Sequence, residues 1–144
     1  MSVEFSLQKE HLFEIYNYNP YVRFLEMKIA DLGQGYAELT MPVHADKHTN
    51  LYNVAHGGAL ASLADTAMGI ACATTGNKVV TLDMNMNFIK GAKPQKALKS
   101  RGTVLHSGRS TMVVEADVID EMGDLVLKAR GTFFVIGKFE PKGA

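Results

Sequence analysis

The spacing of apolar positions changes three times along the chain. Ser6 is placed to cap a short helix running to about Tyr16, and Asn19-Pro20 ends it, because proline lacks a backbone donor and restricts the residue before it. From Val22 the period is two. Leu25, Met27 and Ile29 alternate with Glu26 and Lys28; after the turn DLGQG, Ala37, Leu39, Met41 and Val43 alternate with Glu38 and Thr40. Such alternation marks half-buried strands, and the two runs predict a hairpin. A polar loop, HADKHTNLYNVAHGG, leads into a stretch from Ala59 to Ala73 that is small and apolar on every side yet carries one acid, Asp65. Beyond Gly76-Asn77 the alternation returns in TLDMNMNF, where Leu82, Met84, Met86 and Phe88 face opposite to Asp83, Asn85 and Asn87. KGAKP leads to a strand near Ala97–Leu105, HSGRS turns into TMVVEADVID, and DEMGD turns into a last strand from Leu125 to Ile136.

The predicted order is a short helix, two strands, one long buried helix and four strands. Short turns imply antiparallel neighbours. A helix that is apolar all round needs cover on more than one face, which a curled sheet wrapped around it supplies. The expected fold class is therefore α+β, with residues 1–144 forming one domain: a curled antiparallel sheet around one long central helix, preceded by a short N-terminal helix. A single sheet leaves strand edges open, and pairing with a second copy would cover them.

Composition narrows the function. Fifteen basic residues balance fifteen acidic ones, so net charge gives no pull towards nucleic acid or membrane. Cys72 is the only cysteine, which rules out an internal disulfide and fits a reduced, cytoplasmic compartment. The N-terminus carries Glu4, Lys9 and Glu10 and lacks the apolar core of a signal peptide. The Ala55–Ala73 run is nearly long enough to span a bilayer, but Asp65 at its centre would cost about 2.5–3.5 kcal/mol there. No membrane partner is expected.

The chemistry concentrates around the long helix. Gly57 and Gly58 open it, so their amides are among the first without an intrahelical acceptor. Glycine admits a ligand close to the backbone, and the helix dipole adds positive potential, so a carbonyl oxygen placed there would be polarised. Asp65 lies two turns further on, with Ser62 and Gly69 at helical spacing on its side. A helical Asp can also be a solvated residue or half of a structural pair; its apolar neighbours favour a functional role. His56 is singled out only by its place beside the paired glycines.

The pattern N-x5-H-G-G-x6-D at Asn50, His56, Gly57, Gly58 and Asp65 resembles the hotdog-fold acyl-CoA thioesterases, in particular the phenylacetate-pathway type and the mammalian thioesterase-superfamily-member enzymes. The resemblance continues through TLDMNMNFIKGAKP, HSGRS and LVLKARGTFF, covering almost the whole chain from about Val22. It implies that the Gly57 backbone N–H, helped by the His56 region, binds the thioester carbonyl. It makes Asp65 the general base or nucleophile and gives Asn50 the orienting of water or thioester. Thr81 matches a position where some relatives carry a hydroxyl near the attacking water. The resemblance also implies sites shared across a homodimer, alone or within a homotetramer built as a dimer of dimers, and no metal or other cofactor. Many relatives have Gly where this chain has Asn53; Asn is the residue that best replaces Gly at a left-handed position.

Between Asp83 and Glu115 there are no acids but six basic residues, Lys90, Lys93, Lys96, Lys99, Arg101 and Arg109. A solvated strand edge with lysines blocking aggregation accounts for most of them. The resemblance assigns substrate or coenzyme A contacts to Gly58, Asn53, Lys90 and Arg109, and Arg suits phosphate through its planar fork. His44 and His48 flank an acid, but a metal site would want a third ligand. Neither a nucleophile elbow nor a phosphate-cradling loop is present. The expected function is hydrolysis of an acyl- or aryl-CoA thioester to the acid and coenzyme A. The alternatives are a non-catalytic acyl-CoA-binding or regulatory hotdog domain and, less favoured, a hotdog dehydratase or hydratase.

Overall fold

The computed structural model describes residues 3–139, with side chains from residue 8 onward. Its elements are α1 (Val3–Asn17), α2 (Pro20–Phe24), β1 (Lys28–Gly33), β2 (Tyr36–Val43), α3 (Gly57–Ala73), β3 (Asn77–Phe88), β4 (Gln95–Ser107), β5 (Thr111–Ile119) and β6 (Leu125–Lys138). The six strands form one sheet in the order β1-β2-β4-β5-β6-β3, and every pairing is antiparallel. The expected six strands and the long helix are all present.

The sheet curls around α3, whose Leu63, Ala64, Ala67, Met68, Ile70 and Ala71 are fully buried. They meet the inward rows of the strands, among them Leu39 and Met41 of β2, Leu98 of β4, Met112 and Val114 of β5, and Phe133 of β6. β2 and β5 alternate strictly between buried and half-buried positions, as the period of two requires. Helix and sheet backbones come close where β4 passes under the middle of α3. A Cβ built on Gly102 would lie 2.6 Å from the Ala67 carbonyl oxygen, so only a residue without one fits.

Two expectations are corrected near the N-terminus. Asn19-Pro20 does not merely end α1; it begins α2. The Asn19 side chain accepts hydrogen bonds from the Tyr21 and Val22 amides, with Pro20 next to it at the start of the helix, where a missing N–H costs nothing. Leu25 and Met27, read as strand positions, instead belong to the tight exit from α2: Leu25 caps the helix and Glu26 has φ 60°. Both are buried nonetheless, so the hydrophobic pattern reported burial and not conformation. Ser6, read as the cap of α1, falls within that helix, and its side chain lies outside the described residues.

A third correction concerns the basic run. Lys96, Lys99 and Arg101 are not on a strand edge, because β4 lies between β2 and β5. They face outward from an interior strand, and Arg101 pairs with Glu38 of β2 at 3.1 Å. Lys128–Asp117 and Arg130–Glu115 continue this outward ladder on β5 and β6. The edges are β1 and β3. On β3, Met84 and Met86 are half-buried, whereas Leu82 and Phe88 are exposed.

Candidate active site

The loop before α3 is built by its own side chains. Asn50 Oδ1 accepts from the Tyr52 amide at 2.9 Å and the Val54 amide at 3.3 Å, and the Asn53 amide donates to the Asn50 carbonyl. Asn53 has φ 58°, the left-handed conformation in which Asn substitutes for Gly at least cost. Asn53→Gly is accordingly expected to leave the melting temperature and turnover nearly unchanged, while Asn53→Val should lower the melting temperature, since a β-branched residue there costs about 1–3 kcal/mol. Thermal melts with steady-state kinetics on both variants check this. The Asn50 carbonyl oxygen, expected to orient water, is spent on the backbone of this turn, which leaves only its amide nitrogen to face a ligand.

The loop delivers His56 as the N-cap of α3. Its Nδ1 accepts from the Gly58 amide at 2.8 Å, which places the ring proton on Nε2. The cap occupies the Gly58 N–H and leaves the Gly57 N–H with no acceptor among the described residues. Gly57 lines a cavity of about 310 Å³ with Ala55, Leu60, Phe88, Ile89, Lys90 and Gly91. A free amide, the positive end of a helix dipole and an apolar ring at Phe88 meet there.

Two turns along α3, Asp65 is half-buried, and its Oδ1 accepts from the Thr81 hydroxyl at 2.7 Å. The bond ties helix to edge strand and leaves Oδ2 unengaged by any described residue. The two residues share a second cavity of about 270 Å³ between α3, β3 and the α1–α2 segment. Its walls include Thr66, Gly69, Ile70, Val79 and Phe133, and Tyr16 and Tyr21 come from the N-terminal helices. Of the two residues expected on the Asp65 side, Gly69 opens on this cavity. Ser62 points elsewhere, donating to the Gly58 carbonyl at 2.8 Å and accepting from the Tyr21 hydroxyl at 2.6 Å. Burial raises the pKa of Tyr16 and pushes the Cys72 thiol to about 12, so both stay protonated and neither supplies a nucleophile at neutral pH.

Tyr16 and Tyr21 were missed as site residues. The signal was the Asn-Pro pair, which starts a helix as readily as it ends one.

The two cations assigned to coenzyme A are far apart. Lys90 lies just beyond the end of β3, against Gly57, where it bridges Asp120 at 3.0 Å and Asp124. Those carboxylates, Asp124 foremost, hold its ammonium above the ordinary lysine range. Arg109 is exposed in the β4–β5 turn, beside the other end of β3: the next residue, Ser110, accepts from the Val135 amide, and Val135 pairs with Val79. His48, raised as half of a metal pair, has both ring nitrogens engaged, Nδ1 by the His44 amide and Nε2 by the Leu25 carbonyl.

A sequence model of the thioesterase superfamily matches residues 52–127, a little over half of the chain. The acyl-coenzyme A thioesterase PaaI of Escherichia coli is 29% identical over 123 residues, spanning 85% of this chain and 87% of that protein. The solved structure of the E. coli PaaI protein from the phenylacetic acid degradation operon superposes with a TM-score of 0.87 at 27% identity, covering 92% of this chain and 96% of that one. A Streptococcus mutans protein solved bound to acetyl CoA gives 0.75 at 33% identity, covering 79% and 91%. The chain belongs to the thioesterase superfamily, shares its hotdog fold, and is by class a thioester hydrolase.

Proposed function

We propose that the chain works as a dimer that hydrolyses an acyl- or aryl-CoA thioester, each site combining the Gly57 end of one copy with Asp65 of the other. One observation carries this reading. The free Gly57 N–H and the Asp65 carboxylate are eight residues apart on one straight helix, about 12 Å at 1.5 Å per residue. An oxyanion donor and a base serving one carbonyl must both lie about 3 Å from the reacting atoms. Within one chain they cannot meet on the same thioester. Pairing two copies through the open edge of β3, antiparallel, supports the other arrangement: the Gly57 end of one helix approaches the middle of its partner. It also brings the Lys90 end of one β3 towards the Arg109 end of the other, where a single coenzyme A can meet both.

In the proposed reaction the thioester oxygen accepts from the Gly57 N–H. Asp65, held by Thr81, takes a proton from water while the water oxygen bonds to the carbonyl carbon. The tetrahedral intermediate collapses, the C–S bond breaks, and the coenzyme A thiolate takes up the proton. Attack by Asp65 itself, followed by hydrolysis of the anhydride, gives the same products. The reading extends to one cytoplasmic domain, in keeping with the lone buried thiol of Cys72, and to a dimer of dimers.

Mixing two inactive variants tests the shared site. Gly57→Pro removes the donor at the first helical position, where proline is at home, and His56 already has the extended backbone that proline demands before it (φ −63°, ψ 137°). Asp65→Asn removes the base. Random exchange of the two leaves about one quarter of all sites intact, since half the dimers are mixed and each mixed dimer holds one good site. Thiol release should return to about that fraction of the wild-type rate. Exchange shown by mass with no return of activity overturns the shared site.

A further inference from the structure

The Asp65 cavity continues past the carboxylate by a full turn of α3, and the residue on that turn is a glycine. Outside its own helix and chain neighbours, one described heavy atom comes within 4 Å of a Cβ built on Gly69: Phe133 Cε2, at 3.9 Å. That is ordinary contact, so packing does not demand a glycine. No turn or positive φ demands one either, because Gly69 sits inside a regular helix and is absent from the positive-φ positions. A mid-helix glycine disfavours the helix relative to alanine, and here the fold offers no compensation. The missing side chain leaves space in the cavity, between Asp65 and Ile70.

We propose that Gly69 is a specificity-determining residue: the acyl group lies in the cleft beyond Asp65, against the bare backbone of Gly69, and Tyr16 closes the far end and limits its length. This inference rests on the thioesterase reading. The cleft volume, about 270 Å³, sets the class of acyl group. An apolar cavity of about 150 Å³ already takes up benzene, so a single aryl ring or a medium-length chain fits. The lining around Gly69 is apolar, with Ile70 beside it and Val79 and Phe133 from the sheet. Tyr21, which also lines the cleft, is tied to α3 by the hydrogen-bond relay from its hydroxyl through Ser62 to the Gly58 carbonyl.

The test is thiol release from acetyl-, butyryl-, octanoyl- and benzoyl-CoA by the full-length wild type, Gly69→Ala, Gly69→Val and Tyr16→Ala. Each methyl added at Gly69 should lower kcat/KM for the bulkiest accepted acyl group by about 10–200-fold relative to acetyl-CoA, the usual worth of a methylene in an apolar pocket. Gly69→Ala should also melt higher than wild type, which separates pocket filling from damage to the fold. Tyr16→Ala should move the preference the other way, towards octanoyl-CoA; should it fail to fold, the two Gly69 variants decide alone. A ratio of octanoyl to acetyl turnover that stays flat across both Gly69 variants overturns the inference while the thioesterase reading stands. A wild type that hydrolyses none of the four overturns both.

Discussion

Asp65→Asn should lose about 10²–10⁴ in kcat, the range expected for removing a general base, and should melt at the wild-type temperature. Asn keeps an oxygen acceptor for the Thr81 hydroxyl, so the bond between α3 and β3 survives and only the proton acceptor is lost. Asp65 is half-buried with a single described side-chain partner, so no buried network depends on its charge. Losses confined to kcat, with KM little changed, place the group in the transition state and not in substrate binding. Turnover within threefold of wild type would remove Asp65 from the mechanism, and a large drop in melting temperature would make it a structural residue.

Gly102→Ala is expected to damage the fold more than any other single methyl. The new Cβ would sit 2.6 Å from the Ala67 carbonyl oxygen and 2.8 Å from its carbon. Both are backbone atoms, which no rotamer change relieves. Overpacking a core costs typically 1–3 kcal/mol, and contact with helix backbone argues for the upper end, roughly 3 kcal/mol. For a chain of this size that lowers Tm by about 6–12 °C. Activity should fall too, because any shift of α3 moves Gly57 and Asp65 together. A melting temperature within 2 °C of wild type would mean that α3 and β4 are less tightly packed than the structure has them.

These two residues mark what the sequence makes legible. Asp65 stood out because a charge in an apolar run is rare; the resemblance pointed to the Thr81 hydroxyl, but its bond to Asp65 is legible only in the structure. The strands with one buried face, β2 and β5, alternate cleanly and were read almost to the residue. The start of β1 was not, because Leu25 and Met27 are buried from a turn and their spacing mimics a strand. α2 was missed because five residues carry too little periodicity to compete with the alternation that follows. Gly102 gave no signal, since nothing local tells a glycine under a helix from one in a loop; nor did the strand order, which put Lys96, Lys99 and Arg101 on an interior strand. Asn53 was legible through the resemblance, which sets it where many relatives carry glycine, whereas Asn50 turns out to serve its loop first.

β3 is third of the strands along the chain but last across the sheet, and its only hydrogen-bonded neighbour among the described strands is β6. Thr81, which positions the Asp65 carboxylate, is in register with Phe133 near the C-terminal end of β6. On the ribosome, then, helix and edge strand emerge well before the strand that seats them. The Asp65–Thr81 bond is itself local, but β3 docks only once β6 has been made, and the Thr81–Phe133 pairing closes some fifty residues of chain, the kind of long-range pairing that folds slowly. A chain cut short between β3 and β6 would hold every residue of the motif and still lack the strand that seats β3.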